Sequence, residues 1–245
     1  MFLFSTDIDG TIYNGPETAL RFADFWSELK NGPEAPLLVY NSGRSVDDVR
    51  QLITSKELPD PDFIIGGVGT EIFDFPSSRR MDEWGDDLQD AWNFDDVDQI
   101  VQSNADNIER QPEECQNPFK CSWYWNDKEQ ADLDAISRSL EAAGLQTQIV
   151  YSSARDLDIL PAKANKGNAV VWLASRLGVL HNRIIVAGDS GNDSSMFSLE
   201  GGRGIVVANA EESLFAATEQ LNPHHATLTC ADGVIEGLRA LVPTL

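Results

Sequence analysis

Two carboxylates separated by a single residue, Asp7 and Asp9, stand where an apolar run, Met1 to Phe4, breaks off into Ser5-Thr6-Asp7-Ile8-Asp9-Gly10-Thr11. At the carboxyl end of a strand in an open α/β sheet the side chains leave the ladder and face the crevice where ligands bind, so acids placed there ask for a cation or a reaction. Gly10 lets the backbone turn without a Cβ penalty, and Thr11 can tie that turn to a neighbouring carboxylate or backbone group. A plain turn accounts for the pentapeptide about equally well on its own. A calcium loop does not: counted from Asp7, an EF-hand needs glycine sixth and glutamate twelfth, where this chain has Ile12 and Thr18.

Similar polar sites recur along the chain. Leu37 to Tyr40 is a short apolar run that opens into Asn41-Ser42-Gly43-Arg44. Ser45 with Asp48 is a capping pair for the helix that follows. Lys166 stands in the first turn of a helix expected over 165–177, where a cation opposes the macrodipole and so asks for a compensating anion. Arg183 to Ala187 reads as a strand running into Gly188-Asp189-Ser190-Gly191-Asn192-Asp193, in which Asn192 and Asp193 are also suited to capping the next helix.

The elements that must hold these groups follow from periodicity. Leu20, Phe22, Ala23, Phe25, Trp26 and Leu29 recur at helical spacing between Pro16 and Lys30, and Asn31-Gly32-Pro33 stops that helix. Phe63 to Gly66 is a third strand, leading through Gly67-Val68-Gly69-Thr70 into a hairpin near 71–75. The Gly67-Val68-Gly69 run falls short of a dinucleotide fingerprint because Ile72 stands where the third glycine belongs.

From about Met81 the grammar changes. A helix carrying Val97, Ile100 and Val101, a polar loop at 111–118, a strand at 120–125, a helix at 127–143 and strands at 147–152 and 157–160 form an α+β block. The βα pattern then resumes, with a strand at 204–207 and helices near 211–219 and 232–241. The expected fold is therefore α/β, a doubly wound parallel-sheet (Rossmann-like) core at 1–80 and 161–245, with an inserted α+β cap domain at 81–160 serving as a lid.

The composition narrows the function. Eighteen basic residues against forty acidic ones give a formal net charge of −22, which repels nucleic acid and anionic membranes. An anionic small substrate is compatible with that charge only where a metal ion and a few placed Lys or Arg reverse its sign inside one cleft. No apolar run is long enough to span a bilayer and no signal-peptide pattern opens the chain, so the expected location is the cytoplasm. Cys115, Cys121 and Cys230 show neither a C-x-x-C pair nor a zinc spacing with His181, His224 and His225, to which no role is assigned.

Taken together, D-x-D-G-T, a strand-end serine, a helix-start lysine and G-D-S-G-N-D resemble the haloacid dehalogenase superfamily of phosphotransferases. The stretches Tyr40 to Arg44, Ile64 to Thr70, Ile149 to Pro161 and Asp232 to Arg239 are similar to the sucrose-phosphatase family, and within it to the branch acting on mannosylfructose phosphate. The likeness spans nearly the whole chain. It implies a Mg²⁺-dependent hydrolase releasing a free disaccharide from its fructosyl 6-phosphate, mannosylfructose 6-phosphate or sucrose 6-phosphate, by way of an aspartyl-phosphate.

In the scheme the resemblance implies, Asp7 is nucleophile and metal ligand, Asp9 is general acid and then base, and its backbone carbonyl also meets the metal. Asp189 completes the protein ligands, with Asp193 behind it or as a lesser ligand. Ser42, Gly43, Lys166 and Asn192 hold the phosphoryl group. Physically, a carboxylate can attack a phosphate monoester only where the near-double negative charge is neutralised locally, a task Mg²⁺ suits.

Period two along 120–125 puts Lys120, Ser122 and Tyr124 on one face as sugar ligands, and Cys121, Trp123 and Trp125 on the other as core. Arg44, Asp156 and Asp158 are further sugar-binding candidates, with Arg155 beside them; a charged hinge at 155–158 is the competing reading. Competing functions are a glucosylglycerol-phosphate or other sugar-phosphate phosphatase, a sugar phosphomutase, and a non-catalytic sugar-phosphate sensor. The expected partners are the sugar phosphate and an upstream glycosyltransferase, and the expected state is a monomer.

Overall fold

The computed structural model describes residues 2–32, 35–152 and 154–242. Met1 of the opening apolar run, Pro33 of the expected helix stop and Ser153 of the family-like stretch lie outside them. The chain divides into two compact units, residues 1–80 with 166–245, and residues 81–165.

In the first unit the described residues build an eight-stranded sheet. Its strands are β1 (Leu3–Thr6), β2 (Leu37–Asn41), β3 (Phe63–Gly66), β4 (Glu71–Asp74), β5 (Arg79–Arg80), β10 (Ile184–Gly188), β11 (Arg203–Val206) and β12 (His224–His225). The spatial order is β12-β11-β10-β1-β2-β3-β4-β5. Strands β12 through β3 run parallel, while β4 and β5 add an antiparallel edge. The parallel core expected from the βα alternation is there; β5 and β12 are two residues each, too short to show a period of two.

Strand β1 is buried at every position, between β10 and β2. Chain order runs outward from it in opposite directions, so the sheet reverses here, where open α/β sheets place their ligands. The helices are α1 (Pro16–Lys30), α2 (Val46–Thr54), α6 (Lys166–Leu177), α7 (Ser194–Phe197), α8 (Glu212–Thr218) and α9 (Cys230–Leu241). Helix α1 buries Phe22, Trp26 and Leu29. Phe4 of β1 lies 5.8 Å from Trp26, ring centre to ring centre, fixing this helix on the strand that ends in Asp7.

The second unit has a four-stranded antiparallel sheet in the order β6-β7-β9-β8, built from β6 (Glu109–Arg110), β7 (Cys121–Tyr124), β8 (Thr147–Ser152) and β9 (Asp156–Pro161). Its helices are α3 (Asp82–Leu88), α4 (Phe94–Asn104) and α5 (Gln130–Ala142). Helix α5 starts three residues later than 127, at a Glu129–Asp132 capping box that satisfies the first free amides. Cys121, Trp123 and Trp125 join Val97, Val101, Ile136 and Leu140 in one buried cluster. Among the described residues no helix is long and apolar enough to cross a membrane.

Candidate active site

The parallel register decides which side chains meet. Thr6 pairs with Ala187 on one side and with Tyr40 on the other. Asp7 therefore leaves β1 level with Gly188 and Asn41, the last residues of β10 and β2, and its amide still donates to the Ala187 carbonyl at 3.0 Å. The chain then turns sharply, with the Ile8 carbonyl accepting from Thr11, Ile12 and Tyr13. Gly10 sits in the left-handed region at φ +79°, and a Cβ there would fall 2.1 Å from an Asp189 carboxylate oxygen. Only glycine allows both that torsion and that approach. Thr11 donates to Asp189 Oδ1 at 3.1 Å, the tie to a neighbouring carboxylate that its place in the turn predicts.

Lys166 opens α6 with no exposed surface, and its ammonium donates to Asp7 Oδ1 at 2.7 Å and to Asp193 Oδ1 at 2.6 Å. The anions that a cation at a helix N-terminus requires are these two. Gly167 permits the arrangement, because a Cβ there would lie 2.1 Å from the Ser195 carbonyl oxygen of α7. Asp193 Oδ2 accepts from the amides of Asp189 and Ser190 at 2.9 and 3.1 Å. Asp193 thus closes the loop that carries Asp189 while pairing with Lys166.

Ligand oxygens of Asp7, Asp189 and Asp193 lie within 4.8 Å of one another. Burial pushes Asp7 up to about 7, with Lys166 pulling it down and Asp193 and Asp189 adding to the rise. Burial, then Asp193, lifts Asp189 to about 6, against the Thr11 hydrogen bond. For Lys166 burial opposes the charge, yet Asp193 and Asp7 outweigh it and hold the ammonium above its ordinary value. With all three carboxylates ionised, the one ammonium of Lys166 balances only one of three negative charges in a largely buried cluster. A hard divalent cation fits that donor set, since it takes oxygen ligands and supplies the missing charge.

The remaining candidates are placed differently. Asp9 stands outside the carboxylate cluster, with its side chain half exposed, and both its oxygens are taken by Arg44 at 2.6 and 2.7 Å. Nearby, Tyr13 donates its hydroxyl to Glu57. Ser42 is buried, its hydroxyl accepting from the Arg44 amide at 3.1 Å, and Gly43 follows it half-buried. Asn192 Oδ1 is buried without a hydrogen-bond partner.

In the second unit Lys120 pairs with Asp158 at 3.2 Å, and the Ser122 hydroxyl lies 2.6 Å from the same carboxylate. Ser122 is fully buried, so it has no surface to offer a ligand, and its visible work is to hold Asp158. Asp156 accepts from Gln111 at 3.1 Å and pairs with Arg155, whose guanidinium lies 4.8 Å from the Tyr124 ring centre. Gln111 is a member of this polar group that the strand pattern did not reveal, because it precedes β7 in an irregular segment. The Asp9–Arg44 pairing was equally hidden: thirty-five positions separate the two, and only the adjacency of β1 and β2 joins them.

Comparison with known proteins identifies the chain's family. The model of the family described as sucrose-6F-phosphate phosphohydrolase matches residues 1–241. Mannosylfructose-phosphate phosphatase of Agrobacterium fabrum is 41% identical over 238 residues, 97% of this chain and 95% of that protein. Sucrose-phosphatase 1 of Nicotiana tabacum is 38% identical over 246 residues, 95% of this chain but only 57% of the tobacco protein's length. The crystal structure of the Synechocystis sucrose-phosphatase, solved with sucrose and phosphate, superposes with a TM-score of 0.87 at 27% identity, covering 98% of this chain and 97% of that one. A sugar phosphatase of haloacid dehalogenase subclass IIB, at 12% identity and a TM-score of 0.69, shares the fold. With its acidic strand ends, its buried lysine and a match from the first residue to the last described helix, this chain belongs to the sucrose-6F-phosphate phosphohydrolase family of phosphoric monoester hydrolases.

Proposed function

We propose that this protein hydrolyses a disaccharide 6-phosphate, mannosylfructose 6-phosphate or sucrose 6-phosphate, to the free sugar and orthophosphate. The observation that carries the reading is the clustering of Asp7, Asp189 and Asp193, two of which, Asp7 and Asp193, pair with one buried ammonium, Lys166. A binding protein gains nothing from a carboxylate nucleophile, and a sheet crevice of this kind suits phosphoryl transfer.

In this reading Asp7, Asp189 and the Asp9 carbonyl hold Mg²⁺, with Asp193 behind them. The ion supplies charge neutralisation at the phosphoryl group. Asp7 attacks phosphorus; the bond to the sugar oxygen breaks, and Asp9 delivers a proton to that oxygen, leaving the phosphoryl group on the Asp7 carboxylate. Asp9, now ionised, takes a proton from water as the water attacks the same phosphorus, which frees Asp7 and releases orthophosphate. Lys166, Ser42, Gly43 and Asn192 hold the phosphoryl oxygens in place.

Both Asp9 oxygens accept from Arg44, so the oxygen that carries the proton to the sugar gives up its bond while Arg44 keeps the other in orientation. Lys120, Tyr124, Asp156 and Asp158 are assigned to sugar hydroxyls, with Ser122 supporting Asp158.

The test is a phosphate-release assay on sucrose 6-phosphate, mannosylfructose 6-phosphate, glucosylglycerol phosphate and simple hexose phosphates, with Mg²⁺ and with chelator. Release from the disaccharide phosphates in Mg²⁺ alone is expected. Equal release in chelator, or release from hexose phosphates only, would overturn the reading.

A further inference from the structure

The loop 208–211, which follows β11, reaches three separate parts of the first unit with its polar atoms. The Ala208 amide donates to the Leu228 carbonyl at 3.0 Å, and the Glu211 amide to the Asp189 carbonyl at 2.7 Å. Between them stands Asn209, whose one side chain spans two elements. Its Nδ2 donates to the Gly10 carbonyl at 2.8 Å, and its Oδ1 accepts from the Cys230 amide at 2.7 Å.

Both partners are unusual positions. Cys230 begins α9 at φ +49°, a left-handed torsion in a non-glycine residue, and its N–H is one of the first-turn donors that a helix cannot satisfy itself. Gly10 is the residue between Asp9 and Thr11, pressed so closely on the Asp189 carboxylate that a single added carbon would collide with it. The loop that carries Asp7 and Asp9 and the loop that carries Asp189 are thus held by Asn209 and Glu211 of one short segment. Asn209 supplies the hydrogen bond to the Gly10 carbonyl from the loop that follows β11, a strand two places from β1 in the sheet.

We infer that Asn209 is a positioning residue: its amide fixes the Gly10 peptide against Asp189 and so sets the spacing between the acids of the first loop and those of the second. The inference rests on the phosphatase reading of that site. Its range is set by geometry, since misplacing a reacting group by about 1 Å costs on the order of a hundredfold in rate. Asn209 touches neither substrate nor reacting atoms in this role, so substrate affinity should change little while turnover falls.

Two variants separate positioning from simple support of α9. Asn209→Asp keeps the oxygen that accepts from the Cys230 amide, at a helix N-terminus where a carboxylate is favourable, but turns an acceptor towards the Gly10 carbonyl. Asn209→Ala removes both bonds. Each is measured with the wild type for thermal midpoint, for kcat and KM in phosphate release, and for the Mg²⁺ concentration giving half of the metal-induced rise in thermal midpoint, a readout independent of turnover.

The expected result for Asn209→Asp is a near wild-type thermal midpoint in the metal-free protein, kcat lower by about tenfold or more, KM within about threefold, and a weaker Mg²⁺ response. Wild-type kcat and Mg²⁺ response in Asn209→Asp would overturn the role of Asn209. So would an Asn209→Ala protein that loses thermal midpoint yet keeps full kcat below its transition. A wild-type protein that releases no phosphate from any substrate would instead overturn the reading of the site.

Discussion

Arg44 grips both carboxylate oxygens of Asp9, Nε to Oδ2 at 2.6 Å and Nη2 to Oδ1 at 2.7 Å, on a surface where the two side chains remain 37% and 50% exposed. The contact is bidentate and so defines orientation, but its exposure limits its worth to folding to about 0.5–1 kcal/mol. Arg44→Ala should therefore lower the thermal midpoint by only about 2 °C. Its effect on rate should depend on the leaving group. A sugar alkoxide needs a proton from Asp9, whereas p-nitrophenolate does not. Arg44→Ala is expected to lose about tenfold in kcat on the disaccharide phosphate and under about threefold on p-nitrophenyl phosphate. Equal losses on both would remove Arg44 from any role in placing Asp9.

Among the described residues Lys166 is the one cation within hydrogen-bond reach of Asp7 and Asp193, and it has no exposed surface. Lys166→Met leaves buried carboxylates without their counter-charge, a change that costs about 3–5 kcal/mol in comparable settings. At pH 8 the thermal midpoint should fall by about 10 °C, and phosphate release should disappear. At pH 5 the fall should be smaller, because the carboxylates can take up protons. A midpoint unchanged at pH 8 would contradict the ion-pair geometry.

Asp7→Asn removes a nucleophile and, in the metal-free protein, a buried negative charge among like charges. Phosphate release should drop by at least about a thousandfold. The thermal midpoint in chelator at pH 7.5 should rise, since the amide oxygen can still accept from Lys166 while the repulsion with Asp193 and Asp189 is gone. Substantial residual turnover would rule out a pathway through phosphorylated Asp7.

Stability of the metal-free protein should fall as pH rises from about 4 to about 7. Burial pushes Asp7 up to about 7 and Asp189 up to about 6 in the fold, above the ordinary carboxylate value of 3.8. Through that window the unfolded chain has released protons that the folded chain retains, so raising the pH favours unfolding. General repulsion from a net charge of −22 has the same sign, so the contribution of the site is read from Asp189→Asn, whose thermal midpoint should depend less steeply on pH. Mg²⁺ should raise the wild-type midpoint more at pH 7.5 than at pH 5. A variant slope identical to the wild type would show that Asp189 does not titrate in this range.

The order of strands and helices was readable because β1, β2, β3 and β10 are apolar runs that end in polar turns, and because α1 and α6 repeat at helical spacing. The two-residue strands β5, β6 and β12 were not, since their pairing is dictated by neighbours rather than by any period of their own. The polar face of 120–125 was visible as alternation. That Ser122 lies buried beneath Asp158 depends on β7 pairing with β9, a contact between residues 36 positions apart.

The sequence by itself determined which groups stand at strand ends: carboxylates at 7, 9, 189 and 193, a serine at 42 and a lysine at a helix start, because local pattern and turn chemistry place them there. Only the tertiary structure decided their partners. Lys166 chose Asp7 and Asp193, Thr11 chose Asp189, Arg44 took Asp9, and Asn209 took Gly10. The reason is that hydrogen bonds and charge act through distance in space. Strand order and register bring β1, β2, β10 and β11 to a common edge, and no local stretch of sequence encodes that order.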